Sequence, residues 1–514
     1  MKRAKRFLIN AVLLTVTSVL MQSVSMAFNI YVSGEVGAQT IGLYTLIMSV
    51  YGLFLTFATS GVHLASVRLV SEAIGRGSDN EVSAVMKRTV SYAVIFGAAG
   101  MTLLLSLSEY IGRVWLADER CVRCLRILAF ALPAVSITSA LSGYFSAVRR
   151  VIKTASAQIV GEVVTIIGIP TALHFLLPLG TEYACIALVL GTLAAELISL
   201  VYMIILFLHD RHTHATHIGE VPPRLTKSML SITLPVAFTA YAKSGLSTVK
   251  NLLVPVGLKK SGNSSTAALA SYGMLHGMAL PLVMLPQVMI ASFSGLLIPE
   301  ITNSRVLEHF NNVRYIIGRV LHFVVIYSVC VCGIFLFMAG DIGSIIYSDS
   351  AVSEYIMLLA PLVPFLYVDS IVDAALNGLN EQVRSMQINL IDATVSIILV
   401  WLVLPMTGIY GYIGILYVTK LLNSALSIIT MVRASRLRIN FIKLILKPVL
   451  CIAVSVGAVW ILSEMTGAES AQNVFELVVK LITAVFIYIL LIRGLNVIDK
   501  DDVEWIKGFF RKNK

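Results

Sequence analysis

Runs of roughly 20 apolar residues, separated by short polar breaks, recur about fourteen times along the chain, each long enough to cross a bilayer as a helix. In the first half they fall near residues 8–32, 40–64, 89–108, 127–148, 156–178 and 183–208. The second half has them near 228–257, 267–298, 318–338, 355–378, 386–405 and 409–432, with two more near 444–463 and 474–493. Composition agrees: the 514 residues are 57% hydrophobic and only 13% charged, against about 25% charged in a soluble domain. The predicted fold class is an all-α polytopic membrane protein. The first run, Phe7 to Val32, is about twice the length of a signal-peptide core and is read as an uncleaved first span.

The net charge of +11 does not point to nucleic acid, because the basic residues sit in short loops between apolar runs, as in cytoplasmic loops. With the N-terminus inside, alternate loops carry most of the 39 basic residues, among them Arg68, Arg76, Arg149, Arg150, Arg305, Arg433 and Lys447. The outside loops hold only Arg113, Arg120, Arg123, Arg126, Lys259 and Lys260. Three outside loops have acidic residues alone: Glu35, then Asp341, Asp349 and Glu354, then Glu464 and Glu469. Both termini are therefore predicted in the cytoplasm.

The most polar break in mid-chain, residues 209–227, ends in a Pro-Pro pair that cannot continue a helix. It divides the chain into residues 1–208 with six spans, a cytoplasmic linker at 209–227, residues 228–432 with six more, and residues 433–514 with two extra spans and a tail. The linker histidines His209, His212, His214 and His217 have no carboxylate or cysteine company, which favours a solvated linker over a metal site. The six cysteines are scattered, and only Cys121 and Cys124 have a suggestive spacing. With no second pair to complete a zinc site, incidental cysteines are preferred to a disulfide across that loop.

An internal repeat sharpens the division. Residues 42–72 aligned on 270–300 place Tyr44 on Tyr272, Ser66 on Ser294 and Glu72 on Glu300, and LAFALPAV (128–135) aligned on LAPLVPFL (359–366) places Pro133 on Pro364. Both halves start on the inside, so the repeat is parallel, and such a pair encloses a cavity between its halves.

Ionisable residues inside predicted spans are few: Glu162, Glu196, Lys243, Lys250, Asp369, Asp373, Asp392, Lys420 and Lys480. A lysine at bilayer depth costs about 2.5–3.5 kcal/mol on insertion scales, so each charge needs a partner, a polar cavity or a route to the interface. Lys480, near one end of the last span, is expected to snorkel or stabilise packing. Lys243 and Lys250 lie two turns apart on one face of span 228–257 with no acidic residue on their own helix. They suit an anion such as a diphosphate. Gln22, Asn29, His276 and Gln287 are candidates to complete that surface, with satisfied buried polar groups as the competing reading. Asp369 and Asp373, one turn apart, suit either a cation or proton site or a structural ion pair with a lysine. No phosphate-binding Gly loop with lysine, HExxH or nucleophile elbow is present, and no large soluble domain offers a catalytic site.

The basic start KRFLINAVLLTVTSVLMQ, the stretch VGAQTIGLYTLIMSVYGLFLTFATSGVHLASVRLVSEA and its second-half counterpart SYGMLHGMALPLVMLPQVMIASFSGLLIPEI resemble the multidrug/oligosaccharidyl-lipid/polysaccharide (MOP) exporter superfamily. Within it they are most similar to the branch of stage V sporulation protein B and the lipid II flippases. The resemblance implies two six-helix lobes in a V shape that alternate between inward- and outward-open states. It also implies two added C-terminal helices that form a groove for a lipid tail. The implied substrate is a polyprenyl-diphosphate-linked saccharide carried to the outer leaflet, for cell-wall, polysaccharide or spore-cortex synthesis. Cavity cations hold the diphosphate in that branch, one on the seventh span, where Lys243 matches in kind. The implied gate residues at the cytoplasmic loops are Arg68, Glu72 and Glu300. The Arg-Asp pair expected in the first span is absent, which favours the sporulation-type relatives.

The expected protein is a bacterial cytoplasmic-membrane flippase and not an enzyme. It is expected to work as a monomer among membrane lipids, with no cofactor, no metal and no nucleic acid, driven by Na+ or H+ coupling or by membrane potential. A cation-coupled multidrug antiporter of the same superfamily is the first alternative, and a polytopic glycosyltransferase or polymerase the second. About fourteen spans and lysines in the seventh argue against the antiporter, which suits twelve spans and acidic cavity residues. The longest outside loop, around 109–126, is too short to host the catalytic carboxylate a transferase needs.

Overall fold

The computed structural model describes residues 2–59, 61–76, 79–116, 118–211, 225–347, 349–437, 442–465, 473–495 and 497, and among them the chain is helical with no strand. Helices α1 (Lys2–Thr59), α2 (Val62–Gly75), α3 (Asp79–Tyr110), α4 (Arg120–Ala129), α5 (Ala131–Ala147), α6 (Val151–Leu176) and α7 (Thr181–Arg211) make up the first part. Then come α8 (Leu225–Lys260), α9 (Ser265–Tyr272), α10 (Leu280–Met284), α11 (Gln287–Val306), α12 (Phe310–Tyr347), α13 (Ser350–Leu359) and α14 (Val363–Gly378). The last three are α15 (Gln382–Ser435), α16 (Lys447–Met465) and α17 (Val474–Gly494). Eleven helical segments among the described residues are long and apolar enough to cross a membrane. Of the linker, His209 lies in the last turn of α7, whereas His212, His214 and His217 lie outside the described residues, as does the tail from residue 498.

Two segments are far too long for one crossing. At 1.5 Å per residue, the 58 residues of α1 and the 54 of α15 would run to roughly 80–90 Å, against a hydrocarbon core of about 30 Å. Each is broken near its middle by a glycine with non-helical backbone: Gly37 at φ 76, ψ 164 and Gly408 at φ 66, ψ −154. Those angles lie in territory open essentially to glycine alone, so each glycine sets the point where the helix turns.

The repeat is visible in this backbone punctuation. Positive-φ glycines close α1's first part at Gly37, α6 at Gly180, α8 at Gly262 and α15's first part at Gly408. Gly180 and Gly408 stand apart by the same interval as Tyr44 and Tyr272. Non-glycine residues in the left-handed region mark the other ends: Arg149 after α5, Asn380 after α14, Glu308 after α11 and Arg436 after α15. Arg149 and Asn380 share the interval of Pro133 and Pro364. Both proline-bearing spans are also interrupted just upstream, at Phe130 between α4 and α5 and at Ala360–Leu362 between α13 and α14.

Contacts gather into two compact units, one of residues 1–34 with 274–514 and one of residues 35–273. This division differs from that of the linker. The opening span of each repeat, residues 2–34 and α8, groups with helices of the other half of the sequence.

Within the 35–273 unit the helices approach at small residues. A Cβ on Gly42 would sit 2.1 Å from the Leu269 carbonyl oxygen, one on Gly273 2.1 Å from that of Ala38, and one on Gly143 2.6 Å from Ser66 Cβ. Such contact through glycine is how helices pack in lipid, where apolar area alone gives no drive. In the other unit α16 and α17 lie against α12. Tyr488 donates to the Ile326 carbonyl at 2.8 Å, Ser455 donates to that of Ala484, and Lys480 Nζ meets Asp341 Oδ2 at 3.2 Å.

Candidate functional site

Helix α8 is anchored along one face. Tyr241 Oη donates to the Phe57 carbonyl at 3.4 Å, Thr56 Oγ1 to Ser244 Oγ at 3.2 Å, Thr248 Oγ1 to the Ser49 carbonyl at 3.1 Å and Asn251 Nδ2 to Ser49 Oγ at 3.0 Å. These four α8 positions recur at helical spacing, so one stripe meets α1. Lys243 and Lys250 share a second stripe, roughly 130° around the helix at about 100° per residue. Lys243 is exposed and makes no ion pair among the described residues, and Lys250 is half-buried.

Beside this helix, in the same unit, lies a cavity of about 390 Å³ formed by α1, α2, α5, α6 and α7. Its wall is rich in hydroxyls and carries no lysine, arginine or carboxylate. Thr56 belongs to that wall, and its partner Ser244 is the chain neighbour of Lys243. Thr138 Oγ1 and Thr154 Oγ1 are buried with no hydrogen-bond partner. Elsewhere in the chain, buried threonines donate back along their helix, as Thr89 does to Val85 and Thr419 to Ile415.

In the unit of residues 1–34 and 274–514, several candidate polar residues have partners. His276 Nε2 and Tyr412 Oη are 2.9 Å apart. Gln287 Nε2 donates to the Leu366 carbonyl at 3.3 Å and to Ser370 Oγ. Asp373 accepts from Ser385 Oγ at 2.6 Å, one turn from half-buried Asp369 on α14. Asn29 is half-buried with an unpartnered, buried Oδ1, whereas Gln22 is exposed. Lys420 pairs with Asp392 at 3.1 Å. Arg68 and Glu72 form an exposed pair at 3.1 Å on α2, and Glu300 is exposed on α11. The six cysteines are free thiols, and among the described residues no His, Cys, Asp and Glu cluster has the arrangement of a metal site.

The cavity went unnoticed in the sequence because serines and threonines in apolar helices carry no spacing signal. Only the structure shows which of them leave their hydroxyls unused.

The family described as polysaccharide biosynthesis protein matches residues 7–305, more than half of the chain. The chain belongs to that family and is a multi-pass protein of the bacterial cytoplasmic membrane. Stage V sporulation protein B of Bacillus subtilis (strain 168) is 23% identical over 411 residues, covering 79% of each chain. Lipid II flippase MurJ of the same organism is 21% identical over 538 residues, covering 98% of this chain and 97% of its own. A solved structure of lipid II flippase MurJ in an inward closed conformation superposes with a TM-score of 0.71 at 16% identity, covering 94% of this chain and 99% of that one. A multidrug resistance MATE family transporter in its inward-facing conformation gives 0.63 at 12% identity, covering 82% and 99%. The similarity in fold extends further along this chain for the flippase than for the drug transporter.

Proposed function

We propose that this protein is a flippase that carries a polyprenyl-diphosphate-linked saccharide from the cytoplasmic to the outer leaflet by alternating access. The observation that carries the reading is Lys243, a cation within a span, exposed, without an ion pair among the described residues and on a helix whose opposite stripe is anchored to α1. A lysine held at bilayer depth in that state stabilises a bound anion strongly, because water is scarce there. Lys250, two turns on, extends the same stripe. The named relatives, a lipid II flippase and a stage V sporulation protein, support a cell-envelope substrate.

The proposed topology has fourteen spans with both termini inside. The breaks at Gly37 and Gly408 double two of the eleven candidate segments, and α8 supplies another crossing. The repeat organises spans one to six and seven to twelve, with α16 and α17 as the added pair. Asn29, Gln22, His276 and Gln287 are proposed as secondary substrate contacts, and Arg68, Glu72 and Glu300 as gate residues. Asp369 and Asp373 are proposed to couple transport to Na+ or H+. The protein acts as a monomer on a lipid substrate, without nucleic acid.

The test is complementation of a flippase-deficient strain. Lys243→Ala is expected to lose activity while inserting normally, and Lys250→Ala to weaken it; full activity of Lys243→Ala would overturn the assignment of the anion site.

A further inference from the structure

One carboxylate of the 35–273 unit stands alone. Glu196 is half-buried on α7 and makes no ion pair or hydrogen bond among the described residues. Carboxylates elsewhere in the chain have partners: Asp392 meets Lys420 at 3.1 Å, Asp341 meets Lys480 at 3.2 Å and Asp373 accepts from Ser385 at 2.6 Å. Nor does Glu196 point to the outside of the unit. The exposed side of α7, at Leu197, Ile198, Val201 and Ile205, is at least about 100° away around the helix, whereas Thr192, Ser199 and Met203 share the side of Glu196.

Helix α1 covers that side. Tyr44 Oη lies 3.3 Å from Thr192 Oγ1. Two turns on, Tyr51 brings its hydroxyl within electrostatic reach of the Glu196 carboxylate. Tyr51 is 3% exposed, and its hydroxyl oxygen is fully buried without a hydrogen-bond partner, a state that costs about 1–3 kcal/mol. One turn further along both helices, Leu55 and Ser199 line the cavity of about 390 Å³. That volume is far more than one water needs, and its hydroxyls supply partners, so the cavity can hold water.

The titratable groups that neighbouring helices bring to this level are Tyr44 and Tyr51 of α1 and Glu162 of α6, whose neighbour Gly161 packs on Ser199. Helix α5 has none along residues 135–142, α4 meets α7 three turns away at Cys185, and His63 lines the cavity from α2. No lysine or arginine is among them. A carboxylate in apolar surroundings with no cation beside it takes up a proton rather than stay charged. A metal cation is a poorer occupant, because it takes about six oxygens, and Tyr44 and Thr192 spend theirs on each other. The protonated acid has an O–H to donate and a carbonyl to accept, which suits the unused Tyr51 hydroxyl.

We propose that Glu196 is a proton-binding site, with the Tyr51 hydroxyl beside it, that exchanges its proton with water in the cavity. The site is separate from the coupling role proposed for Asp369 and Asp373, and it holds whatever substrate the chain carries.

The experiment is infrared difference spectroscopy on the purified full-length protein in nanodiscs. Wild type minus Glu196→Gln is expected to show a carboxylic-acid C=O band at neutral pH. That band is expected to move to lower frequency in D2O and to give way to carboxylate bands as the pH is raised. It is expected to survive in Glu162→Gln, and to survive at higher frequency in Tyr51→Phe, where the acid carbonyl has lost a donor. Thermal unfolding verifies that each variant is folded. Glu196→Asp, expected to displace the band rather than remove it, carries the same assignment if Glu196→Gln does not fold. Carboxylate bands in place of the acid band at neutral pH would show Glu196 ionised and overturn the proposal. Loss of the band in Glu162→Gln would assign the proton to Glu162 and overturn it equally. An acid band indifferent to D2O would show a site closed to water, against exchange through the cavity. A band unmoved in Tyr51→Phe would remove Tyr51 from the site.

Discussion

Lys243 and Lys480 are both lysines within apolar spans, and their surroundings differ. Lys480 is 13% exposed and paired with Asp341, itself 17% exposed, which ties α17 to α12. Removing one member of such a pair strands the other, at a cost of about 3 kcal/mol, the lower end for buried pairs. Lys480→Ala is therefore expected to lower the thermal midpoint in detergent, with Lys480→Met plus Asp341→Leu recovering most of it. A double variant no more stable than Lys480→Ala would contradict a structural role for the pair. Lys243 has no ion-pair partner among the described residues, so Lys243→Ala is expected to leave the midpoint unchanged while transport is lost. The sequence could single out both lysines, since charge within an apolar run is visible there. It could not tell them apart, because Asp341 lies 139 positions from Lys480 and only folding brings them together.

At the scale of elements, much was legible. Apolar runs and basic loops foretold the helices, since burial in lipid leaves the backbone no other way to satisfy its hydrogen bonds within one segment. Pro133 and Pro364 marked equivalent spans, and both prove interrupted just upstream. The merging of spans was not legible. Residues around Gly37 and Gly408 read as loops, yet each is a single-glycine turn between nearly continuous helices. Ala at either position would have to occupy a backbone region that costs about 1–3 kcal/mol. Gly37→Ala and Gly408→Ala are expected to lower the thermal midpoint, whereas Gly34→Ala, at a position with open space and no positive φ, is expected to be silent. Equal midpoints for all three would show that the turns do not depend on glycine. The grouping of α8 with helices of the first half was equally hidden, because it depends on long-range contacts such as Gly61 to Thr233 and Thr248 to Ser49.

For the whole molecule, family and membrane class follow from a match over residues 7–305 and from a fold shared along 94% of the chain with a lipid II flippase. The drug-antiporter alternative is less favoured, given the shorter fold match and the cationic rather than acidic stripe on α8. Lys243, the proposed contact for the charged part of the substrate, was legible in the sequence as a charge within an apolar run.

The most direct measurement is lipid translocation by the purified protein reconstituted in vesicles. Fluorescently labelled undecaprenyl-diphosphate-linked N-acetylglucosamine is loaded, and its exposure on the opposite leaflet is followed with and without an imposed ion gradient. Transfer faster than in protein-free vesicles by wild type, and not by Lys243→Ala, is the predicted result. Equal rates in wild-type, Lys243→Ala and protein-free vesicles would contradict the account.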